Sequence, residues 1–253
     1  MRDVRSSPFP SNCTSRRRST PPSSGARPPT SSAYCLAAIL SCNSKAHFDH
    51  LGITKPVNGD SINNGALDNA TGVSALLNLA RMFALLPERP KRSLIFVAVG
   101  GEESGPLGSQ YYVQHPDVPL DLIAANINID GLNVWERTRD VIMIGLGRST
   151  IDSVVMRVAS RQQRIVKPDQ FPEQGSFYRS DQFSFAQQKV ADYIARHYHQ
   201  PSDELHEDWD LSGAVEDVQL MFLVAHQLAN APEMPRWKKG DEFEAVRQPS
   251  LAK

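Results

Sequence analysis

Cysteine is scarce in this chain of 253 residues. There are three, Cys13, Cys35 and Cys42, an odd number at spacings that fit no zinc-binding pattern. They read as unpaired or incidental thiols, so any zinc held by this chain has ligands other than thiolates. Long apolar runs are lacking as well. No stretch is long and apolar enough to span a bilayer, which argues against stable membrane insertion. Charge of one sign is missing too: the net charge is -1, so no global field draws the chain to nucleic acid or to an anionic membrane. There is no internal repeat.

The charge that is present is uneven. Residues 1–33 hold six Arg and one acid, whereas the remaining 220 residues hold 21 basic and 27 acidic side chains. An acidic body suits a protein that gathers divalent cations. Residues 1–33 are rich in Ser, Pro and Arg and poor in large apolar residues. They cannot bury enough surface to offset the entropy of ordering, and the expectation is a disordered tail followed by one domain over 34–253. The run Ala33–Cys42 has the apolar character of a signal-peptide core. Its basic leader is unusually long, however, and cleavage after it would leave His47 almost at the new terminus. It is read here as a buried strand.

From residue 34 onward, short apolar runs alternate with helical patterns. Leu94–Val99 and Ile123–Ile129 are continuous apolar runs, as expected of strands covered on both faces, and Val141–Ile144 is a third. Val73–Leu86 carries apolar residues at helical spacing, with Thr71 or Asn69 as N-cap and Pro87 as stop. Further helices are expected from about Ile151 to Gln163, from near Ser180, and from about Ala214 to Ala229. The caps of the first and last are Ser149 or Thr150, and Ser212 or Asp210. Strands alternating with helices predict an α/β fold with a mostly parallel sheet and helices on both faces.

In such sheets, ligands bind beyond the carboxyl ends of the strands. Three apolar runs lead into His47, into the pair Glu102 and Glu103, and into Asp130. Taken singly each is weak: a His-x-Asp is ordinarily a surface pair and two glutamates an acidic loop. Three strand ends delivering His, Glu and Asp to one edge predict a metal site. Asp49 is placed to accept the spare N–H of His47. Glu102 and Glu103 point in different directions at a strand end, so one can bind metal while the other acts as base. Asp68 precedes a helix, where capping is the ordinary role, but Asn69 and Thr71 can cap in its place. A carboxylate can bridge two cations about 3.5–4 Å apart. His199 lies in a polar turn, as a surface residue or a ligand. His50 is nearby with no ligand role assigned, and His115, His197, His206 and His226 receive none.

These segments resemble the co-catalytic di-zinc peptidases that include bacterial leucyl aminopeptidase, glutamate carboxypeptidase and, more distantly, glutaminyl cyclase. The matching motifs are His-Phe-Asp-His-Leu-Gly at 47–52, Gly-Ala-Leu-Asp-Asn-Ala-Thr-Gly at 65–72, Glu-Glu-Ser-Gly at 102–105, Asn-Ile-Asp at 128–130 and Tyr-His-Gln-Pro-Ser-Asp-Glu at 198–204. They appear in the family's order. Phe177–Phe183 and Trp209–Asp217 also look like family segments.

The resemblance implies a three-layer α/β/α fold and two Zn2+ ions. His47 and Asp130 would hold one ion, Glu103 and His199 the other, and Asp68 would bridge them. It implies Glu102 as general base, Asp49 beside His47, and Tyr198 as an oxyanion donor. The implied substrates are peptides with a free N-terminus, cleaved by an aminopeptidase. A glutaminyl-cyclase-like enzyme, a carboxypeptidase-like enzyme and a truncated non-catalytic homologue remain as alternatives. Two departures stand out. Gln187–Val190 runs almost directly into Ala191–Arg196, so one core strand and a cleft-lining loop of the family pattern are missing. Residues 1–33 also look unrelated to the family's upstream portion. The resemblance suggests export, although no clear signal peptide is visible; oligomeric state and residue preference are not written in the sequence.

Overall fold

The computed structural model describes residues 41–169, 193 and 195–245. The expected tail over 1–33, the run Ala33–Leu40, the helix near Ser180, the segment Phe177–Phe183 and the apparent deletion after Val190 lie outside the described residues. Where it is described, the chain is an α/β fold with mostly parallel strand pairing.

Strand β1 is described over Ser41–His47, so it includes the last two residues of the apolar run expected as a strand, the rest of which lies outside the described residues. It lies between β4 (Leu94–Val99) and β5 (Ile123–Asn128) and pairs with both in parallel. The last residues of β1, Ser44 to His47, escape a search for apolar runs. Their side chains nevertheless alternate usefully. Ser44 and Ala46 are small and fully buried, and Ala46 packs beneath helix α1 (Gly72–Ala84). Lys45 and His47 take the opposite face, where the Lys45 ammonium donates to Ser109 Oγ at 2.5 Å. Ser109 belongs to α2, Leu107–Gln114. Helices therefore stand on both faces of the sheet.

Two cores hold these layers. Leu76 and Leu79 of α1 pack with Ala46, Ile129 and Leu132. Val155 and Val158 of α3 (Ile151–Arg161) pack with Ala124 and Ala125 of β5 and with Leu220, Val224 and Leu228 of α4 (Ser212–Asn230). The N-caps of α1 and α3 are Thr71 and Thr150, among the expected residues, whereas α4 is preceded by Leu211 rather than by Ser212 or Asp210; flanking side chains bond the first turns. Asn69 Oδ1 accepts the Gly72 N–H at 3.0 Å, Ser149 Oγ that of Ile151 at 3.3 Å, and Asp210 Oδ1 that of Ser212 at 2.8 Å.

Strand β4 departs from expectation in its cover. It is at one side of the described three-stranded sheet, and only Val99 is fully buried. A parallel pair, β6 (Asp140–Met143) and β7 (Ile165–Pro168), and an antiparallel hairpin, β2 (Gly52–Val57) with β3 (Asp60–Asn63), complete the described strands. Among the described residues no helix is long and apolar enough to cross a membrane.

Candidate metal centre

Parallel pairing brings three strand ends to one edge. His47 stands opposite Val99, and Lys45 opposite Asn128, so Asp130 arrives beside His47. The ladder runs on through Phe48 N–H to Val99 O at 3.0 Å and Ile129 N–H to Lys45 O at 2.8 Å. Each loop that follows carries polar residues onto that edge.

His47 Nε2 lies 3.0 Å from Asp130 Oδ1 and 3.1 Å from Asp68 Oδ1. His199 Nε2 lies 3.0 Å from Glu103 Oε2 and 3.7 Å from Asp68 Oδ2. Asp68 thus sits between two imidazoles, one oxygen toward each. Both imidazoles also face a second carboxylate. All five residues expected as metal ligands are brought together, and His199 is the most exposed of them, with 36% of its side chain accessible.

Asp68 is presented by a turn of π-helical type, Ala66–Thr71, in which Asp68 and Asn69 have non-helical backbone angles. Asn69 fastens this turn to the Asp130 segment. Its Nδ2 donates to Ile129 O at 3.0 Å, and its Oδ1 accepts the N–H groups of Gly72 and Gly131. A Cβ at Gly72 would stand 2.1 Å from that Oδ1, which is why glycine opens α1. Thr71 Oγ1 accepts the Leu132 N–H at 3.0 Å.

Asp49 behaves differently from the expectation. His47 Nδ1 meets the backbone carbonyl of Asp49 at 3.0 Å, while the Asp49 carboxylate is 3.9 Å from that nitrogen. The carboxylate instead accepts the Gly101 N–H at 2.6 Å. Only Phe48 stands between His47 and Asp49, so the carbonyl reaches the imidazole first. The side chain is left to fasten the Gly100–Gly105 loop that bears Glu102 and Glu103. Glu102 lines a small recess with Lys45, His47, Asn128 and Asp130. Tyr198 stacks on the His199 ring, with centroids 3.8 Å apart, and packs against the hydrophobic cluster of Leu67, Val134 and Tyr193.

Two residues given no role from the sequence belong to this site. His50 Nδ1 lies 2.5 Å from Glu103 Oε1, and its ring meets His199 edge-on. Glu103 therefore presents one oxygen to His50 and the other to His199. The three-residue spacing of His47 and His50 was the available signal, but a loop has no periodicity to interpret it. Lys45, two residues before His47 on the same strand face, adds a cation beside Asp130 and Glu102. Burial lowers its pKa against the pull of those two carboxylates.

The donor set fits metal. Atoms bound to a tetrahedral zinc at about 2.0–2.1 Å lie roughly 3.3 Å from one another. The donor separations around Asp68 are 3.1 Å to His47 Nε2 and 3.7 Å to His199 Nε2. His47, Asp68 and Glu103 can also offer atoms that all lie within 4.8 Å of one another. Asp68 Oδ1 is buried and faces the His47 imidazole at 3.1 Å, as suits an oxygen placed to share a cation with that ring. Burial alone would lower the His47 pKa, but Asp130 and Asp68 outweigh it and raise the value to about 11.

Comparison with known proteins points the same way. The sequence profile described as peptidase family M28 matches residues 42–223. A probable zinc metalloprotease of Pyrenophora tritici-repentis is 38% identical over 84 residues, 33% of this chain and 19% of that protein. Aminopeptidase YwaD of Bacillus subtilis is 32% identical over 97 residues, 38% of this chain and 21% of that protein. Among solved structures, the LapA aminopeptidase of Legionella pneumophila superposes with a TM-score of 0.58 at 20% identity, covering 78% of this chain and 53% of that one. The stretches matched thus amount to about a fifth of the curated relatives' length and about half of the solved one.

Proposed function

Because the chain belongs to peptidase family M28, we propose that it is a zinc-dependent aminopeptidase with a two-ion site. The observation that carries this reading is Asp68 between His47 Nε2 at 3.1 Å and His199 Nε2 at 3.7 Å, each imidazole also facing a second carboxylate oxygen. His47 and Asp130 would hold one zinc, Glu103 and His199 the other, and Asp68 both. Zinc bound there supplies Lewis acidity toward the scissile carbonyl and acidifies water. The residues of the chain do the rest. Glu102, assigned to no ion, takes the proton of the attacking water and returns it to the leaving amine. Asp49 holds the loop that aims Glu102. Tyr198 orients His199 by stacking, and its hydroxyl is assigned to the oxyanion. A rim rich in carboxylates suits the cationic amine of a free peptide N-terminus.

The test is Glu102→Gln. The variant is expected to keep its zinc and to lose hydrolysis of aminoacyl anilides by about 10²–10⁴-fold. Turnover equal to that of the parent, with zinc retained, refutes the assignment.

A further inference from the structure

Asp203 is almost completely buried and has no place in the reaction just described. Three consecutive backbone amides converge on it from across the chain. Ala66 N–H donates to Asp203 O at 3.1 Å, Leu67 N–H to Oδ1 at 2.9 Å and Asp68 N–H to Oδ2 at 3.1 Å. These amides open a turn whose backbone leaves helical geometry at Asp68, so Asp203 is where their hydrogen bonds go. Tyr193 donates its hydroxyl to the same Oδ2 at 3.0 Å.

The other end of this connection is His199, four residues earlier. Asp203 N–H donates to Gln200 O at 3.0 Å, Gln200 N–H to His197 O at 2.9 Å, and both His197 and Tyr198 N–H groups donate to Tyr193 O. His199 itself takes a left-handed backbone conformation, φ 57°, within this succession of turns. Asn64 Nδ2 to Glu204 Oε1, 2.9 Å, adds a second tie between the same two segments.

We propose that Asp203 is a positioning residue that sets the spacing between Asp68 and His199, and with it the affinity and geometry of the second metal position. The proposal rests on the two-ion reading above. Asp203 holds the amide of Asp68 directly and shares one tight turn with His199. A small rotation of either segment alters the 3.7 Å gap between Asp68 Oδ2 and His199 Nε2. The pairing of His47 with Asp130 is fixed separately, by the ladder from β1 to β5, so the first position depends on Asp203 only through Asp68 Oδ1, 3.1 Å from His47 Nε2.

The experiment compares the full chain with Asp203→Asn and Tyr193→Phe. Asparagine has the same size but one acceptor oxygen, and its amino group must face either a backbone N–H or the Tyr193 hydroxyl. Stepwise affinities for zinc are measured by chelator competition, together with kcat, KM and the absorption spectrum of the cobalt-loaded protein. Asp203→Asn is expected to weaken one of two metal sites by about 10–100-fold, the usual range for groups that orient ligands. The other site stays within about threefold, kcat falls, KM moves less than about twofold, and the spectrum of the second cobalt changes. Tyr193→Phe gives a smaller loss at the same site and carries the test if Asp203→Asn fails to fold. Two unchanged affinities in both variants, or equal weakening of both sites with a lowered melting temperature, overturn the inference and leave the two-ion reading standing. Failure of the parent chain to bind a second ion overturns both.

Discussion

Metal binding should displace a proton from His47, and the size of the effect follows from the site. The imidazole is wedged between Asp68 and Asp130, whose carboxylates overcome the effect of burial and raise its pKa to about 11. An imidazole binds metal only when neutral. Below its pKa, each unit of pH therefore strengthens apparent zinc binding about tenfold at the position His47 serves. From about pH 7.5 to about pH 9.0 the gain is roughly 30-fold, in a range where an ordinary imidazole is already neutral. Chelator-buffered zinc titrations across that range measure the slope. Calorimetry in two buffers of different ionisation enthalpy counts the protons, with about one attributable to His47. An affinity that changes less than about threefold, with heats independent of buffer, refutes the reasoning. The same proton affects the metal-free chain in the opposite sense. The unfolded value is about 6.5, so the stabilisation is complete below that pH and is lost as pH rises toward about 11. The urea midpoint of the metal-free chain should accordingly fall between about pH 7 and about pH 10.

Other perturbations separate the parts of the site. His199→Ala removes the donor that faces Glu103 and Asp68, and zinc analysis should fall from about two ions per chain to about one; unchanged zinc content would place His199 outside the site. His50→Ala frees Glu103 Oε1 and should weaken zinc by about 10–100-fold. His50→Asn, which can present an amide near the Nδ1 position, should recover part of that loss; no difference between the two variants would remove His50 from the site. Leu79 is fully buried against Ala46 and Ile129, one residue from His47 and Asp130. Leu79→Ala should cost about 2–5 kcal/mol by urea denaturation, and a loss below about 1 kcal/mol would contradict the packing described.

Much of this was legible in the sequence, for reasons that differ between elements. Leu94–Val99 is a strand over the expected residues, and the helices at 72–84, 151–161 and 212–230 follow their apolar periodicity to within a few residues. Burial of one helix stripe leaves a periodic trace. The last residues of β1 carry little of such a trace, because a central strand packed under a close helix can use Ser44 and Ala46, and its other face carries Lys45 and His47. The β2–β3 hairpin was missed. Its strands are largely exposed and show no alternation, although the turn residues Asn58 and Gly59 have the positive φ that an Asn-Gly hairpin requires. Helix α2 buries no residue fully and has no apolar stripe to read. In the site, His47, Glu103 and Asp130 follow from strand ends. The meeting of Asp68 with His199 does not, because it depends on two loops 131 residues apart in sequence folding against each other.

How those loops are held is the more general point. The segments bearing the donors lie beyond the ends of the ladder, where strand neighbours no longer satisfy their backbone amides. Side chains from adjoining segments do so instead: Asp49 for Gly101, Asn69 for Gly72 and Gly131, Thr71 for Leu132, and Asp203 for Leu67 and Asp68. The bonds to Leu67, Asp68 and Gly72 answer buried donors, at about 1–3 kcal/mol each if left unsatisfied, and those to Gly101, Gly131 and Leu132 answer part-buried ones. All but the Asn69–Gly72 bond also fix a segment bearing a donor or a base to a different part of the chain. The acceptors Asp49, Asn69, Thr71 and Asp203 all lie within the motifs that bear the donors themselves. The motifs thus carry both the chemistry and the fastening, which is why residues that touch no metal should move metal affinity nearly as much as the ligands' own neighbours do.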